Sequence, residues 1–362
     1  MTNFFIAPLF LLLIAGLIPL CFHGIRSWRV SCTFQAGGGI LTIIVSVMCL
    51  LKFNSGDMIE TSLTPLFPIV LGVDRLSAAF ALLLGLLAFA VSLYSPGYIC
   101  KLHPGRSQDI LCGLMPLFLA SMLLVLLSRT TFAFLLFWEL MAVTSFFLVL
   151  IEYKDEKTRY AAFFYLVMTQ LSTVCIFLSI ICMYLISGSF GFPGGISIES
   201  LLGSASFAFL FLGAAIKAGV IPFHKWLPYA HPAAASPVSA LMSGMMLNTA
   251  LYIVFRAVIE IFIPNLSMGL IILSFGCITA VLGVMYALKE QDLKSLLAYS
   301  SIDNTGVILI GIGLFTLLTS TGHPDIGMMA FLGTLFHAIS HGTFKGLLFL
   351  TAGSVYQATG TK

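Results

Sequence analysis

The sequence predicts an all-α protein that crosses a membrane many times. Of its 362 residues, 59% are hydrophobic and only 9% are charged, whereas a soluble domain carries roughly 25% charged residues. The mean hydropathy is +1.08. Apolar runs of about 20 residues, the length at which a helix spans a bilayer, recur along almost the whole chain.

The apolar runs predict eleven membrane helices and no soluble domain. The longest polar interruptions, near 53–74 and 188–204, are too short to fold alone. The first run lacks a basic flank before it and a small-residue cleavage site after it, so we interpret it as a membrane helix rather than a signal peptide. The predicted helices are 4–23, 34–53, 76–98, 109–128, 130–151, 160–187, 206–223, 237–262, 266–288, 296–319 and 326–355.

Basic residues between the helices predict the orientation in the membrane. Loops after odd-numbered helices contain ten Lys or Arg residues and loops after even-numbered helices contain three. By the positive-inside rule, the odd loops lie in the cytoplasm or its topological equivalent and the N-terminus lies outside. The ten are Arg26, Arg29, Lys101, Arg106, Lys154, Lys157, Arg159, Lys225, Lys289 and Lys294; the three are Lys52, Arg75 and Arg129.

Charge and cysteine usage argue against several classes of function. The net charge is +3 and no basic stripe is present, so we expect no nucleic-acid partner. The eight cysteines lie mostly within apolar runs and form no CxxC pair, which argues against metal or iron–sulfur ligation. Buried thiols in a helix bundle are the better interpretation, and we expect no cofactor.

Lys217 is the strongest candidate for function. It is the only charged residue in the run SFAFLFLGAAIKAGVIPF, 206–223, and a charge at that depth costs about 2.5–3.5 kcal/mol on insertion scales. Prolines disfavour helix, so we predict a broken helix near Lys217–Pro237. Non-helical backbone at membrane depth survives only inside protein or beside water; a plain loop between two helices is the alternative. The prolines are Pro222, Pro228, Pro232 and Pro237.

Glu139 is the second charge inside an apolar run, TTFAFLLFWELMAVTSFFLVL. A buried glutamate needs a partner or it becomes neutral, and Lys217 is the predicted partner. Movement of Glu139 away from Lys217 would then release a proton from the lysine. The alternative is a static ion pair that only stabilises the bundle.

His337, His341 and Lys345 follow one another at i, i+4 and i+8, so they share one face of a helix. Because histidine titrates near neutral pH, the three predict a proton relay. A zinc site is one alternative, although no cysteine or carboxylate lies nearby in sequence. Hydrogen-bonded polar residues between helices are the other.

Weaker signals lie on the neighbouring helices. Asn248, in MSGMMLNTALYIVF, can hydrogen-bond but not titrate. Asp303, in SSIDNTGVILIG, either extends a polar axis or lines a helix end near Lys289 and Lys294. Arg256 and Glu260 are four residues apart, and we interpret them as a structural pair.

Four runs carry a resemblance to a known family: FFYLVMTQLST, IKAGVIPFHKWLPYAHPAAASPVSALMSG, DLKSLLAYSSIDNTGVILIGIGL and LFHAISHGTFKGLLFLTAGSVY. They resemble the antiporter-like membrane subunits of respiratory complex I, the NADH:quinone oxidoreductase/Mrp antiporter type. Two segments, AHPAAASPVSALMSG and AYSSIDN, resemble the branch of the family that contains hydrogenase-4 component B and the formate hydrogenlyase membrane subunit. The resemblance covers about residues 70–362.

The resemblance implies a fold of fourteen helices with two inverted five-helix repeats. Residues 1–107 would then be peripheral helices, 108–262 the first repeat and 263–362 part of the second. The family's second broken helix has no counterpart before Lys362. We expect the chain to be a fragment, a truncated product or one half of a split subunit. Glu139 and Lys217 match the family's glutamate and broken-helix lysine. Asn248 stands where many relatives have a lysine. The family's polar stripe matches His337, His341 and Lys345.

The resemblance also implies a function. The expected protein is a proton- or sodium-translocating membrane subunit, without catalysis of its own, in a complex I-related energy-converting complex. Its expected partners are other membrane subunits and a redox-driven peripheral arm, in a prokaryotic cytoplasmic membrane. The alternatives are a component of a multi-subunit Na+/H+ antiporter and a non-pumping spacer. The sequence does not choose between the two ions.

Overall fold

The computed structural model describes residues 2–22, 27–52, 59–62, 69–102 and 106–361, and these are mostly helical. Short 3-10 turns at Leu150–Glu152 and Phe223–Lys225 and π-helical turns at Met242–Met246 and Ala257–Ile261 complete the helical elements. The α-helices are α1 (Thr2–Cys21), α2 (Ser27–Lys52), α3 (Arg75–Leu102), α4 (Arg106–Leu127), α5 (Thr131–Val149), α6 (Glu156–Ser187), α7 (Leu201–Ala218), α8 (Trp226–Ala233), α9 (Ser236–Leu241), α10 (Leu247–Arg256), α11 (Leu266–Ala287), α12 (Leu293–Ser320) and α13 (Pro324–Thr359).

The predicted membrane helices all coincide with observed helices. Within the described ranges, nine helical segments are long and apolar enough to cross a membrane. The other two are α1, whose apolar stretch Phe5–Cys21 is shorter, and α13, which carries the polar stripe. Helix α2 begins at Ser27, well before the predicted start at residue 34. Residues 23, 26 and 53, used in the predictions, lie outside the described part.

One element departs from the all-α prediction. Strand β1 (Ile59–Ser62) pairs antiparallel with β2 (Val70–Val73), with Ile59 opposite Val73. The Arg129 N–H donates to the Val70 carbonyl over 2.9 Å, so the hairpin is attached to the short link between α4 and α5. Thr130 ends that link, because its hydroxyl accepts the Ala133 N–H and caps α5.

The predicted break between Lys217 and Pro237 is present. Helix α7 ends where Gly219 adopts φ +73°, and a methyl group on Gly219 would lie 2.6 Å from Leu227 Cδ1. Conformation and space therefore both require glycine there. The chain then forms α8 and an extended link before α9 begins at Ser236. A short helix with one buried face occupies the break, so the break is not a plain loop.

The helix that follows the break lies at the centre of the molecule. Ser236–Ile261 runs through α9, α10 and the two π turns as one span whose most apolar stretch is completely buried. Its neighbour α13 approaches it closely, since a methyl group on Gly342 would lie 2.5 Å from the Gly244 carbonyl oxygen. The candidate polar residues lie around this central helix.

Candidate functional site

Lys217 lies in the last turn of α7, immediately before the break. Its side chain is fully buried, and Nζ has no hydrogen-bond partner among the described residues. Nζ lies 5.5 Å from the ring centre of Trp138 and 5.9 Å from that of Tyr165, within the range of cation–π attraction. Two aromatic faces therefore hold the ammonium group.

Glu139 does not bind Lys217 in this structure. Its Oε1 accepts a hydrogen bond from Gln170 Nε2 at 2.5 Å, and its Oε2 accepts one from Thr173 Oγ1 at 2.9 Å. The reason is helical geometry: consecutive residues point about 100° apart. Trp138 faces the lysine, whereas Glu139 faces α6. The expected contact between the two charges is thus replaced by a clamp from α6, formed by Gln170 and Thr173.

The predicted stripe on α13 lies on one face, as its spacing requires. His337 Nε2 is 3.1 Å from Asn304 Oδ1, and the Asn304 amide donates to Asp303 Oδ1 over 2.6 Å. Asp303 therefore reaches the stripe through Asn304. The ring centres of His337 and His341 are 6.4 Å apart.

The inner half of the stripe is fully buried. Both ring nitrogens of His341 are without hydrogen-bond partners in the described part of the chain. Lys345 Nζ donates to the Leu297 carbonyl on α12 over 3.2 Å. Burial of an imidazole and an ammonium group with so few partners is costly, which marks this region as a candidate for function rather than for packing.

Asn248 is buried against the same part of α13. Its Nδ2 donates to the Gly244 carbonyl over 2.8 Å, within its own helix. Its Oδ1 has no partner among the residues described. A methyl group on Gly342 would lie 2.8 Å from Asn248 Nδ2, so the amide lies next to the stripe at His341.

Sequence reasoning missed His231, on α8. The side chain is fully buried, and neither ring nitrogen has a hydrogen-bond partner within the described ranges. The ring stacks on Phe349 of α13, with 4.6 Å between ring centres. One sequence signal could have identified it: His231 precedes Pro232 within the predicted break, and we expect the backbone of that break to lie inside the protein or beside water.

A surface pocket of about 590 Å³ adjoins the break. We call it the vestibule. Its wall combines acidic, basic and aromatic side chains from the start of α6, the break and the link between α11 and α12. They include Asp155, Lys157, His224, Tyr229, Glu290 and Asp292. His224 forms its inner edge and stacks on Tyr286, with ring centres 5.5 Å apart.

A separate ion cluster lies at the start of α3. Asp74 Oδ2 is 2.7 Å from Arg256 Nη2, and Asp74 Oδ1 is 3.2 Å from Arg129 Nη2. Burial would raise the pKa of Asp74, but the guanidinium groups of Arg256 and then Arg129 hold it well below its ordinary value. The predicted pair of Arg256 with Glu260 is present at 2.5 Å; the link to Asp74, 182 residues away, has no signal in sequence.

The sequence is similar to several known proteins. It is 39% identical over 301 residues to an uncharacterized protein of Mycobacterium tuberculosis, covering 83% of this chain and 47% of the relative. It is 37% identical over 292 residues to hydrogenase-4 component B of Escherichia coli, covering 79% of this chain and 43% of that relative. It is 34% identical over 278 residues to a Na+/H+ antiporter subunit of Bacillus subtilis, covering 75% of this chain and 34% of that relative. The chain spans less than half the length of these curated relatives.

Solved structures share the fold. A chain of the membrane-bound sulfane sulfur reductase, an archaeal respiratory membrane complex, superposes with a TM-score of 0.80 at 25% identity, over 98% of this chain and 57% of that one. A chain of the Mrp complex from Dietzia sp. DQ12-45-1b superposes with a TM-score of 0.83 at 22% identity, over 98% and 64%. Residues 128–362 match the transmembrane family described as NADH:quinone oxidoreductase/Mrp antiporter. The chain therefore belongs to the NADH:quinone oxidoreductase/Mrp antiporter family of membrane proteins.

Proposed function

We propose that this chain is a membrane subunit that translocates ions, with Lys217 as the residue at which an ion is taken up and released. The observation that carries the proposal is the buried Nζ of Lys217, held by two aromatic rings at the end of a broken helix. A buried ionisable residue in a membrane helix is costly and typical of an ion path. Because no acceptor is fixed to the ammonium group in this arrangement, the approach or departure of a charged neighbour would change how strongly it holds its proton.

Glu139 is the proposed control element. In the observed arrangement, α6 holds its carboxylate through Gln170 and Thr173, and the lysine relies on the rings alone. Release of the carboxylate toward Lys217 would stabilise the protonated lysine, since an opposite charge favours the charged form. Alternation between these two arrangements would load and unload Lys217. The stripe of His337, His341 and Lys345 would then carry the proton onward.

The proposed setting is a complex I-related energy-converting complex of the hydrogenase-4 type, with membrane partners, a redox-driven peripheral arm and the N-terminus outside. The relative named hydrogenase-4 component B supports this setting. A Na+/H+ antiporter complex is the second candidate, supported by the Na+/H+ antiporter relative from Bacillus subtilis. Neighbouring genes separate the two, because hydrogenase or dehydrogenase subunits indicate the first setting and small antiporter subunits the second.

The test uses inside-out membrane vesicles from cells that express the chain with its native partners. Formate, reduced ferredoxin, NADH and hydrogen are supplied in turn, and a sodium pulse follows. A pH-sensitive dye reports proton movement and radiolabelled sodium reports sodium movement. We expect Lys217→Ala to reduce ion movement by about 10²-fold or more, the range for loss of a positioned proton-transfer group, with the complex still assembled.

The matched control is Lys289→Ala, which removes an exposed lysine from the link after α11. It should leave ion movement unchanged. Wild-type movement in Lys217→Ala would show that the lysine only stabilises the fold, and the proposed function would then be wrong.

A further inference from the structure

How a proton reaches the α13 stripe is the part of the path that the proposed function leaves open. Asn248 lies beside the stripe on the central helix, but an amide cannot accept and release a proton at neutral pH. Its Nδ2 is also bound to the Gly244 carbonyl in its own helix. A proton that moves to the stripe from side chain to side chain therefore needs another titratable group.

His231 is placed to be that side chain. It is fully buried, and both ring nitrogens are free of hydrogen bonds to the described residues. Its ring stacks on Phe349, which follows Lys345 by four residues and so lies one turn away on the same face of α13. A phenylalanine at this position would make the same stacking contact without burying two polar nitrogens, so packing alone does not explain a histidine.

Two lysines border the same region. Lys345 Nζ donates to the Leu297 carbonyl over 3.2 Å, and Lys294 Nζ donates to the Ala234 carbonyl over 2.7 Å. Leu297 and Lys294 are one turn apart on α12, and Ala234 follows α8 directly. The Ala234 carbonyl that Lys294 binds lies only three residues after His231. The imidazole and the lysines thus meet where α8, α12 and α13 converge.

The vestibule lies on the other side of α8. Pro228, Tyr229, Pro232 and Ala233 of that helix line the pocket, whereas Leu227, Ala230 and His231 face the interior. Ser295, next to Lys294 on α12, lines it as well. One short helix therefore separates an open pocket with acidic and basic walls from the buried imidazole.

We propose that His231 is a proton-transfer residue that links the vestibule to the stripe of Lys345, His341 and His337, and that the ion carried here is the proton. The proton would bind one ring nitrogen of His231 from the vestibule side and leave from the ring toward Lys345. No bond other than N–H forms or breaks. The inference rests on the proposed function and adds to it both the crossing residue and the choice of ion.

The first test is His231→Phe in the native complex, in the same vesicles. The substitution keeps a ring against Phe349 and removes proton transfer. We expect proton movement to fall by about 10²-fold, with assembly unchanged on a native gel. The matched control is His323→Phe at the exposed start of α13, which should move protons as the wild type does.

The second test separates proton transfer from packing. In His231→Ala, added imidazole should restore proton movement, whereas pyrrole, which has the same shape but does not titrate near neutral pH, should not. Restoration by both compounds, or by neither, would assign His231 a packing role and overturn the proposal.

The outcomes also separate this inference from the proposed function. Loss of proton movement in Lys217→Ala with wild-type movement in His231→Phe would leave the proposed function standing and overturn the role of His231. Sodium movement without proton movement in the wild type would overturn the assignment of the proton. Wild-type movement in both variants would overturn the proposed function together with this inference.

Discussion

Trp138 and Glu139 are consecutive residues whose side chains contact different neighbours. The indole ring faces Lys217 from 5.5 Å, while the carboxylate is turned to α6 and bound by Gln170 and Thr173. A cation–π contact attracts the ammonium group without offering it a proton acceptor. In the mechanism that we propose, the ring keeps Lys217 in place, and the position of the carboxylate would decide how strongly the lysine holds its proton.

Removal of the α6 clamp, Gln170 and Thr173, tests whether the position of the Glu139 carboxylate controls Lys217. In the double variant Gln170→Leu/Thr173→Val, the half-buried Glu139 carboxylate loses both donors. The cost is below the roughly 1–3 kcal/mol of a fully buried unsatisfied acceptor. Lys217 is the cation it would then pair with. Because that pair holds the proton on the lysine, we expect slower proton movement in vesicles with normal assembly. Thr343→Val, at an exposed site on α13, is the control; unchanged or faster movement in the double variant would contradict the mechanism.

The sequence located the buried polar side chains of Lys217 and the α13 stripe better than it predicted their partners. Lys217 and the α13 stripe were recognisable because each places polar atoms in an apolar run. The partners of Glu139 were not, because they depend on which way α5 turns a single residue. His231 was missed for a related reason: a histidine beside prolines suggests a loop, and only the packing of α8 shows that the ring is buried.

The contact between the central helix and α13 depends on a pair of glycines. Gly244 lies in a π turn and Gly342 follows His341, and the backbones meet so closely that a methyl group on Gly342 would lie 2.5 Å from the Gly244 oxygen. Close approach of this kind is how helices pack in membranes. It also sets the distance between Asn248 and the stripe.

Gly342→Ala should therefore separate the two helices. The nearest neighbour of the added methyl group is a carbonyl oxygen, which cannot rotate away, so we expect a loss of about 1–3 kcal/mol from overpacking, seen as a lower Tm in detergent. Gly333→Ala is the matched control on the same helix, because a methyl group there meets nothing within 4 Å. It should stabilise the helix by about 0.5–1 kcal/mol. Equal Tm values for the two variants would show that the close approach is not a constraint.

At the scale of the whole molecule, the Asp74 cluster joins distant parts of the chain. Arg129 comes from the α4–α5 link and Arg256 from the central helix, and both bind Asp74 at the start of α3. The Ser77 N–H also donates to Asp74 Oδ1 over 2.8 Å. Helix positions follow from apolar runs. The contacts of Asp74 depend on how three separate segments of the chain pack together, and no sequence pattern predicted them.

Asp74→Asn should destabilise the protein in a pH-dependent way. Removal of the carboxylate leaves the buried Arg129 guanidinium group without a carboxylate partner, whereas Arg256 keeps Glu260. Loss of a partner from a buried ion pair costs roughly 3–5 kcal/mol. Because the folded-state pKa of Asp74 is lowered, the stability it contributes is fully present above its unfolded pKa of about 3.9 and is lost as pH falls through the folded pKa. The difference in Tm between wild type and variant should therefore shrink in acid.

The exposed Asp325, at the start of α13, supplies the control. Asp325→Asn should leave the Tm nearly unchanged at every pH. A difference between wild type and Asp74→Asn that stays constant down to strong acid would show that the cluster acts through packing and not through charge.

The two π turns distinguish the central helix from a regular α-helix. Each wide turn holds surplus chain, and π bulges are frequent at functional sites. Such a bulge can travel along a helix, and each residue that it passes swings by about 100°. The hydroxyls of Ser243 and Ser301 lie 2.7 Å apart at one end, and Arg256 is tied to Asp74 at the other. Asn248 lies between these anchors, so a shift of a π turn along the helix would rotate its amide relative to α13 while both ends of the helix stay fixed.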